Sequence, residues 1–283
     1  CYFNEFRAEI IKGNIWFGTR NGLHKYSGEK LKSYYHTSYN SNSLTSNFIY
    51  DLLVDRDGEL WIATDKGLNR YKKDDDSFIT YKRQQMTCEN CLVNNEVLTI
   101  HEDSKGYLWI GTVSGLNRFD KTKEEFITYT EQDGLSNNLI YAIEEDDNGN
   151  LWISTNLGIS KFNPHNEEFT NYSPSDGLQD YEFNHLASFK AEDGQMFFGG
   201  ISGLNVFYPD SIKESDYIPN VSITSIEVLT NKSRNEYDLI GKDSINIPYK
   251  NNIITVEFTA LDFAEPEKNL FAYMLKDVDN EWV

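Results

Sequence analysis

The sequence predicts an all-β protein: five four-stranded β-propeller blades, part of a larger propeller, followed by an incomplete immunoglobulin-like β-sandwich. Three observations predict it. One stretch, Leu108-Trp109-Ile110-Gly111-Thr112 through Phe119, recurs as Ile15-Trp16-Phe17-Gly18-Thr19 through Tyr26, as Leu60-Trp61-Ile62-Ala63-Thr64 through Tyr71, and as Leu151-Trp152-Ile153-Ser154-Thr155 through Phe162. A worn copy, Met196-Phe197-Phe198-Gly199-Gly200 through Phe207, closes the series. The aromatic positions 16, 61, 109, 152 and 197 are 45, 48, 43 and 45 residues apart, and such a period marks one supersecondary unit used repeatedly. Aromatic residues make up 14% of the 283 and Pro only 6, which with regular Gly and Asn/Asp turns points to many short strands.

The copy that begins near Asn138 displays the unit. Leu139-Ile140-Tyr141-Ala142-Ile143-Glu144-Glu145 reads as a first strand. Asp146-Asp147-Asn148-Gly149-Asn150 follows as a hairpin turn, because Asn and Gly tolerate positive φ. Leu151-Trp152-Ile153-Ser154-Thr155 is the second strand, Ile159-Ser160-Lys161-Phe162 the third and Glu168-Phe169-Thr170-Asn171-Tyr172 the fourth. Four antiparallel strands in this span make one propeller blade. Longer loops at 36–47, 82–95, 130–138 and 173–184 join each fourth strand to the next first strand. All fall at one end of the disc, where ligands usually dock. No spare strand is visible at either end to hide a seam, which favours a portion of a larger propeller over a closed five-bladed ring. The domain bounds expected are 1–209 for the blades, 210–219 for a polar linker and 220–283 for the sandwich. Strands are predicted there around 221–229, 243–247, 253–258 and 270–275.

Composition excludes several roles. Lys and Arg total 26 against 45 Asp and Glu, a net charge of −19, and such a surface repels phosphate backbones and anionic lipid. Nucleic acid is therefore not an expected partner. The sequence contains no membrane-spanning apolar run and no secretory leader, and residue 1 is Cys rather than Met.

No catalytic set or cofactor motif emerges. His24, His36, His101, His165 and His185 are scattered, without a phased carboxylate or nucleophile. The Asp-x-Asp-Gly turn at 55–58 and the acidic stretch at 144–150 lack the distal Glu of a calcium loop and fall where hairpins are required, so no metal is assigned. One basic residue per blade, Lys25, Arg70, Arg118 and Lys161, either rings an anionic ligand or salt-bridges the acidic turns; Arg70 and Arg118 are carried as ligand-binding candidates. The segment Tyr181, Glu182, Phe183, Asn184, His185 combines aromatic, amide and acidic groups, as sugar sites do. Tyr34 and Tyr35 are a second, weaker cluster. The motif Gly is expected to let neighbouring backbone approach closely.

The repeats resemble those of the two-component-regulator propellers, with their hydrophobic-Trp-Ile-Gly-Thr and Gly-Leu-Asn-Arg-Tyr/Phe pattern. The tail resembles the tyrosine-named domain that follows them, through Ile253, Thr255-Val256-Glu257-Phe258-Thr259-Ala260-Leu261-Asp262-Phe263, Pro266-Glu267-Lys268, Phe271-Ala272-Tyr273-Met274-Leu275 and Trp282. The resemblance implies that the five blades are part of a seven-bladed propeller in an extracytoplasmic, periplasmic sensor region of a hybrid two-component histidine kinase. It also implies an oligosaccharide ligand, a homodimer in the full-length sensor, and no enzymatic activity in this part. A lyase or hydrolase acting on a glycan or lactone, and a protein-interaction scaffold, are the rival readings. In an oxidising periplasm Cys88 and Cys91 form a local disulfide that staples an expanded loop, or remain free thiols.

Overall fold

The computed structural model describes residues 7–83, 90–212, 220–229, 234–237, 246–247, 253–260, 271–276 and 279. The chain divides into two compact units, residues 1–212 and 213–283.

In the first unit the repeats fold as successive antiparallel meanders. The first blade is β1 (Arg7–Ile11), β2 (Asn14–Thr19), β3 (Gly22–Tyr26) and β4 (Leu31–Tyr34). The second is β5 (Ile49–Val54), β6 (Leu60–Thr64), β7 (Gly67–Lys72) and β8 (Ser77–Tyr81). The third is β9 (Val97–Glu102), β10 (Leu108–Thr112), β11 (Gly115–Asp120) and β12 (Glu125–Tyr129). The fourth is β13 (Ile140–Glu145), β14 (Leu151–Thr155), β15 (Gly158–Asn163) and β16 (Glu168–Tyr172). The fifth has, among the described residues, three strands, β17 (Phe183–Lys190), β18 (Met196–Gly200) and β19 (Gly203–Phe207), one fewer than the four of the repeat.

Blades stack through the motif Trp. Trp61 of blade two is buried against Val97, Ile100, Leu108, Ile110 and Phe119 of blade three, and Trp109 repeats this against Ile140, Ile143, Leu151, Ile153 and Phe162 of blade four. The motif Gly answers to a side chain, not to the backbone expected from the sequence. A Cβ on Gly111 would sit 2.6 Å from Ile140 Cγ2, and one on Gly18 would fall 2.4 Å from Ile49 Cγ2. The first strand of the next blade presses a branched residue into that slot.

The end faces of the series are bare. Across the ladders Val54, Leu60, Tyr71 and Phe78 form one row that covers Trp16. The equivalent row of blade one, Ile10, Ile15, Tyr26 and Leu31, is exposed, as are Phe189, Leu204 and Val206 of blade five. Blades one and five therefore do not stack on each other as the internal blades do. Arg7 Nη2 does reach across to the Leu186 carbonyl at 2.9 Å.

In the second unit β20 (Val221–Leu229) is the middle strand, flanked by β21 (Arg234–Tyr237) and β22 (Ile253–Ala260), all antiparallel. The expected strand at 243–247 lies largely outside the described residues. Residues 271–275, expected to be extended in a ladder, are not a strand. Alternation predicts a strand only where a ladder neighbour exists, and among the described residues none pairs with them; Phe271 instead packs its ring on Phe258, 5.2 Å away.

Candidate functional site

The turn between first and second strands is built around one carboxylate. Asp103 Oδ1 accepts the backbone N–H groups of Lys105 and Tyr107, both at 2.9 Å, while Oδ2 accepts the Trp109 indole N–H at 2.7 Å. Asp55 does the same for Asp57, Glu59 and Trp61, and Asp146 for Asn148, Asn150 and Trp152. The Asp-x-x-Gly turns are thus hairpins that also fix the interblade Trp. Sequence reasoning identified the turns and missed the second task, although an Asp six residues before the Trp in three copies was its signal.

Asp55, Asp57 and Glu102 converge closely enough to hold a cation, and a side-chain cation already occupies the position. Lys121 Nζ lies 3.0 Å from Asp55 Oδ2, 2.9 Å from Asp57 Oδ2 and 2.7 Å from Glu102 Oε1. Burial works against the charge on Lys121, but its hydrogen bonds to Glu102, Asp57 and Asp55 outweigh that and raise its pKa.

The basic slot pairs directly with the Trp across the ladder, Trp61 with Arg70 and Trp109 with Arg118. Each guanidinium lies over its Trp ring, at 5.5 and 5.9 Å. Arg70 also pairs with Glu59 at 3.4 Å and with Glu124 of the next blade at 3.7 Å, and Arg118 with Glu167 of the next blade at 3.6 Å. These candidates sit at the end of the disc that carries the short hairpin turns, away from the loops where the sequence looked for a ligand.

The segment 181–185 is the regular junction between blades. Its Tyr181 carbonyl accepts Gly158 N–H at 2.7 Å, just as Asn47 accepts Gly22 N–H at 2.7 Å. Phe183 stands where Ile49, Val97 and Ile140 stand, and is buried with Trp152, Met196 and Phe198. Its ring cannot face a ligand. Tyr181, Glu182 and Asn184 are exposed. His185 turns to the disc axis, with Nε2 2.7 Å from the Leu98 carbonyl and its ring against Tyr50. Tyr34 is likewise a packing residue, stacked on Trp16 with its hydroxyl donating to Asp76 at 2.7 Å. Tyr35 is exposed beside Gly22 and His24. Cys91 is disulfide-bonded and buried; its expected partner Cys88 lies outside the described residues.

The first strands of blades two and three each carry a titratable group shielded from solvent. Asp51 is fully buried and accepts from Ile100 N–H and Leu52 N–H, both at 2.9 Å; Arg7 lies 3.8 Å away. Burial pushes its carboxyl up to about 6. His101 Nε2 is sealed from solvent without a hydrogen-bond partner, and burial pushes that ring down to about 4.

A groove of about 330 Å³ separates blades one and two at the hairpin-turn end. Ile11, Trp16, Leu60, Tyr71 and Ile79 supply apolar walls, and Lys12, Lys25, Arg70, Lys72 and Lys73 line it with Asp57, Glu59 and Asp74. That volume lies at the lower bound for small-molecule sites.

The profile of the family described as "Two component regulator propeller" matches residues 43–66, 91–114 and 134–157, each a loop plus the first two strands of a blade. The chain is similar, at 29% identity over 99% of its length with a TM-score of 0.71, to the extracellular domain of a B. thetaiotaomicron protein described as a hybrid two-component system. A second such domain from that organism is 28% identical over 85% of the chain with a TM-score of 0.64. "Histidine kinase P4" of Formosa agariphila is 28% identical over 113 residues, 36% of this chain. The chain spans 38% and 36% of the two extracellular domains and 8% of the kinase. A virginiamycin B lyase from Staphylococcus aureus shares the fold alone, at 14% identity and a TM-score of 0.52. Among the described residues no helix is long and apolar enough to cross a membrane.

Proposed function

We propose that the chain is part of the periplasmic sensor region of a hybrid two-component histidine kinase, that its propeller binds an oligosaccharide, and that the β20–β22 unit relays occupancy toward the membrane. The observation that carries the reading is similarity over 99% of the chain to the extracellular domain of a protein described as a hybrid two-component system. Exposed Tyr181, Glu182, Asn184 and Tyr35 at the loop end remain ligand contacts in this reading, as do Arg70 and Arg118 at the turn end. The reading treats this part as a receptor and not an enzyme. Binding to a printed oligosaccharide array tests it: retention of one glycan class supports it, and an empty array across neutral and acidic glycans contradicts it. The full-length sensor is expected to be a homodimer; sedimentation of the intact ectodomain as a monomer with and without ligand would count against that.

A further inference from the structure

The groove between the first two blades keeps the cations of its neighbour but has no counterpart of Asp55 or Glu102 beside them; its own carboxylates are Asp57, Glu59 and Asp74. In the groove between blades two and three, Lys121 is neutralised by Asp55, Asp57 and Glu102, and the Trp61 indole is capped by Asp55. The β-ladder register equates Lys73 with Lys121 and Lys25 with Arg70. The same register puts Ile11 where Asp55 would be and Val54 where Glu102 would be, and the shorter 12–13 turn has no counterpart of Asp57.

The consequences are visible in the contacts. Among the described residues Lys12, Lys25 and Lys73 have no carboxylate within 4 Å, and the Trp16 indole N–H has no acceptor; all four residues line the groove. Lys25 Nζ instead hangs 4.9 Å over the Trp16 ring and 5.9 Å from the Tyr71 ring. An unpaired ammonium beside an uncapped indole donor and a flat aromatic wall is a receptor for an anion attached to a ring. In a chain of net charge −19, such a local excess of unpaired cation is the opposite of the background.

We propose that this groove is a binding site for an acidic sugar unit, its carboxylate or sulfate ester held by Lys25, Lys73 and the Trp16 N–H, and its ring against Tyr71 and Trp16. The site deepens the receptor reading by naming the ligand's charge, and rests on that reading only for the sugar nature of the ring. Lys12 at the rim steers the anion, so affinity falls as salt is raised.

Titration calorimetry of the intact chain with sodium glucuronate, glucose 6-sulfate, glucose and inorganic sulfate is the test. One or both charged sugars are expected to bind at least tenfold more tightly than glucose and than inorganic sulfate; which of the two wins distinguishes carboxylate from sulfate ester. Lys25→Gln is expected to weaken that binding at least tenfold, Lys25→Arg to retain most of it, and Trp16→Phe to lose several-fold, each with an unchanged circular dichroism spectrum. Charged and neutral sugars binding alike, or Lys25→Gln and wild type binding alike, overturns the site. Inorganic sulfate binding as tightly as the charged sugars overturns the ring contact. Should neutral oligosaccharides bind while Lys25→Gln has no effect on any ligand, the groove is refuted and the receptor reading stands. If neither neutral nor acidic glycans bind, both fall.

Discussion

Asp103 shows how much of a blade depends on one side chain. It satisfies two turn N–H groups and the Trp109 indole at once, so Asp103→Ala leaves buried donors unmet and is expected to cost about 1–3 kcal/mol. A lower urea midpoint with an unchanged m-value checks this. Gly111→Ala tests the motif from the other side. The added methyl meets Ile140 and Thr99 side chains at 2.6 Å, and such overpacking costs about 1–3 kcal/mol; adding Ile140→Val is expected to recover part of it. The Trp was legible in the sequence as a packing residue because four of five Trp occupy one slot. The indole–Asp bond was not, since it spans a hairpin whose register the turn sets. Phe183 was misjudged for a related reason. Its aromatic neighbours Tyr181 and His185 suggested a ligand wall, but alignment to Ile49, Val97 and Ile140 places it in the core.

At the scale of elements, the first strand of each blade departs most from the simple repeat. β5, β9 and β13 each carry a register shift near their start, and in β17 it widens to span Phe183 to Ser188. Bulges re-aim side chains, and here the wide one includes His185, turned to the axis, and Leu186 with φ 53. The same inner strands hold Asp51 and His101, whose titrations oppose each other. Asp51 has its folded pKa raised to about 6 from 3.8, so the folded state binds the extra proton and stability falls as pH rises from about 4 to 6, by about 3 kcal/mol for this group. His101 has its folded pKa lowered to about 4 from 6.5, so stability rises with pH over the same window. Asp51→Asn should steepen the rise in unfolding free energy with pH between 4 and 6, and His101→Gln should flatten or invert it. Denaturation at three pH values checks both signs; equal slopes in the two variants would refute the assignment. Neither group was singled out in this role by sequence, because position on an inner strand does not reveal whether a polar partner is within reach.

For the whole molecule, the count of five repeats follows from periodicity alone, because the Trp spacing measures the blade directly. The unladdered 271–275 segment does not, since it depends on which neighbours a strand finds. The exposed rows on blades one and five are equivalents of rows that elsewhere bury against another blade. Binding of a glycan is the claim on which the functional account rests, and a thermal-shift series of the intact protein against acidic and neutral oligosaccharides tests it most directly. A ligand present at a hundredfold excess over its dissociation constant stabilises the folded state by about 2.7 kcal/mol, which for a propeller of this size raises Tm by about 5 °C or more. An upward shift of that size with at least one oligosaccharide is predicted; an unchanged Tm across the whole series would contradict the account.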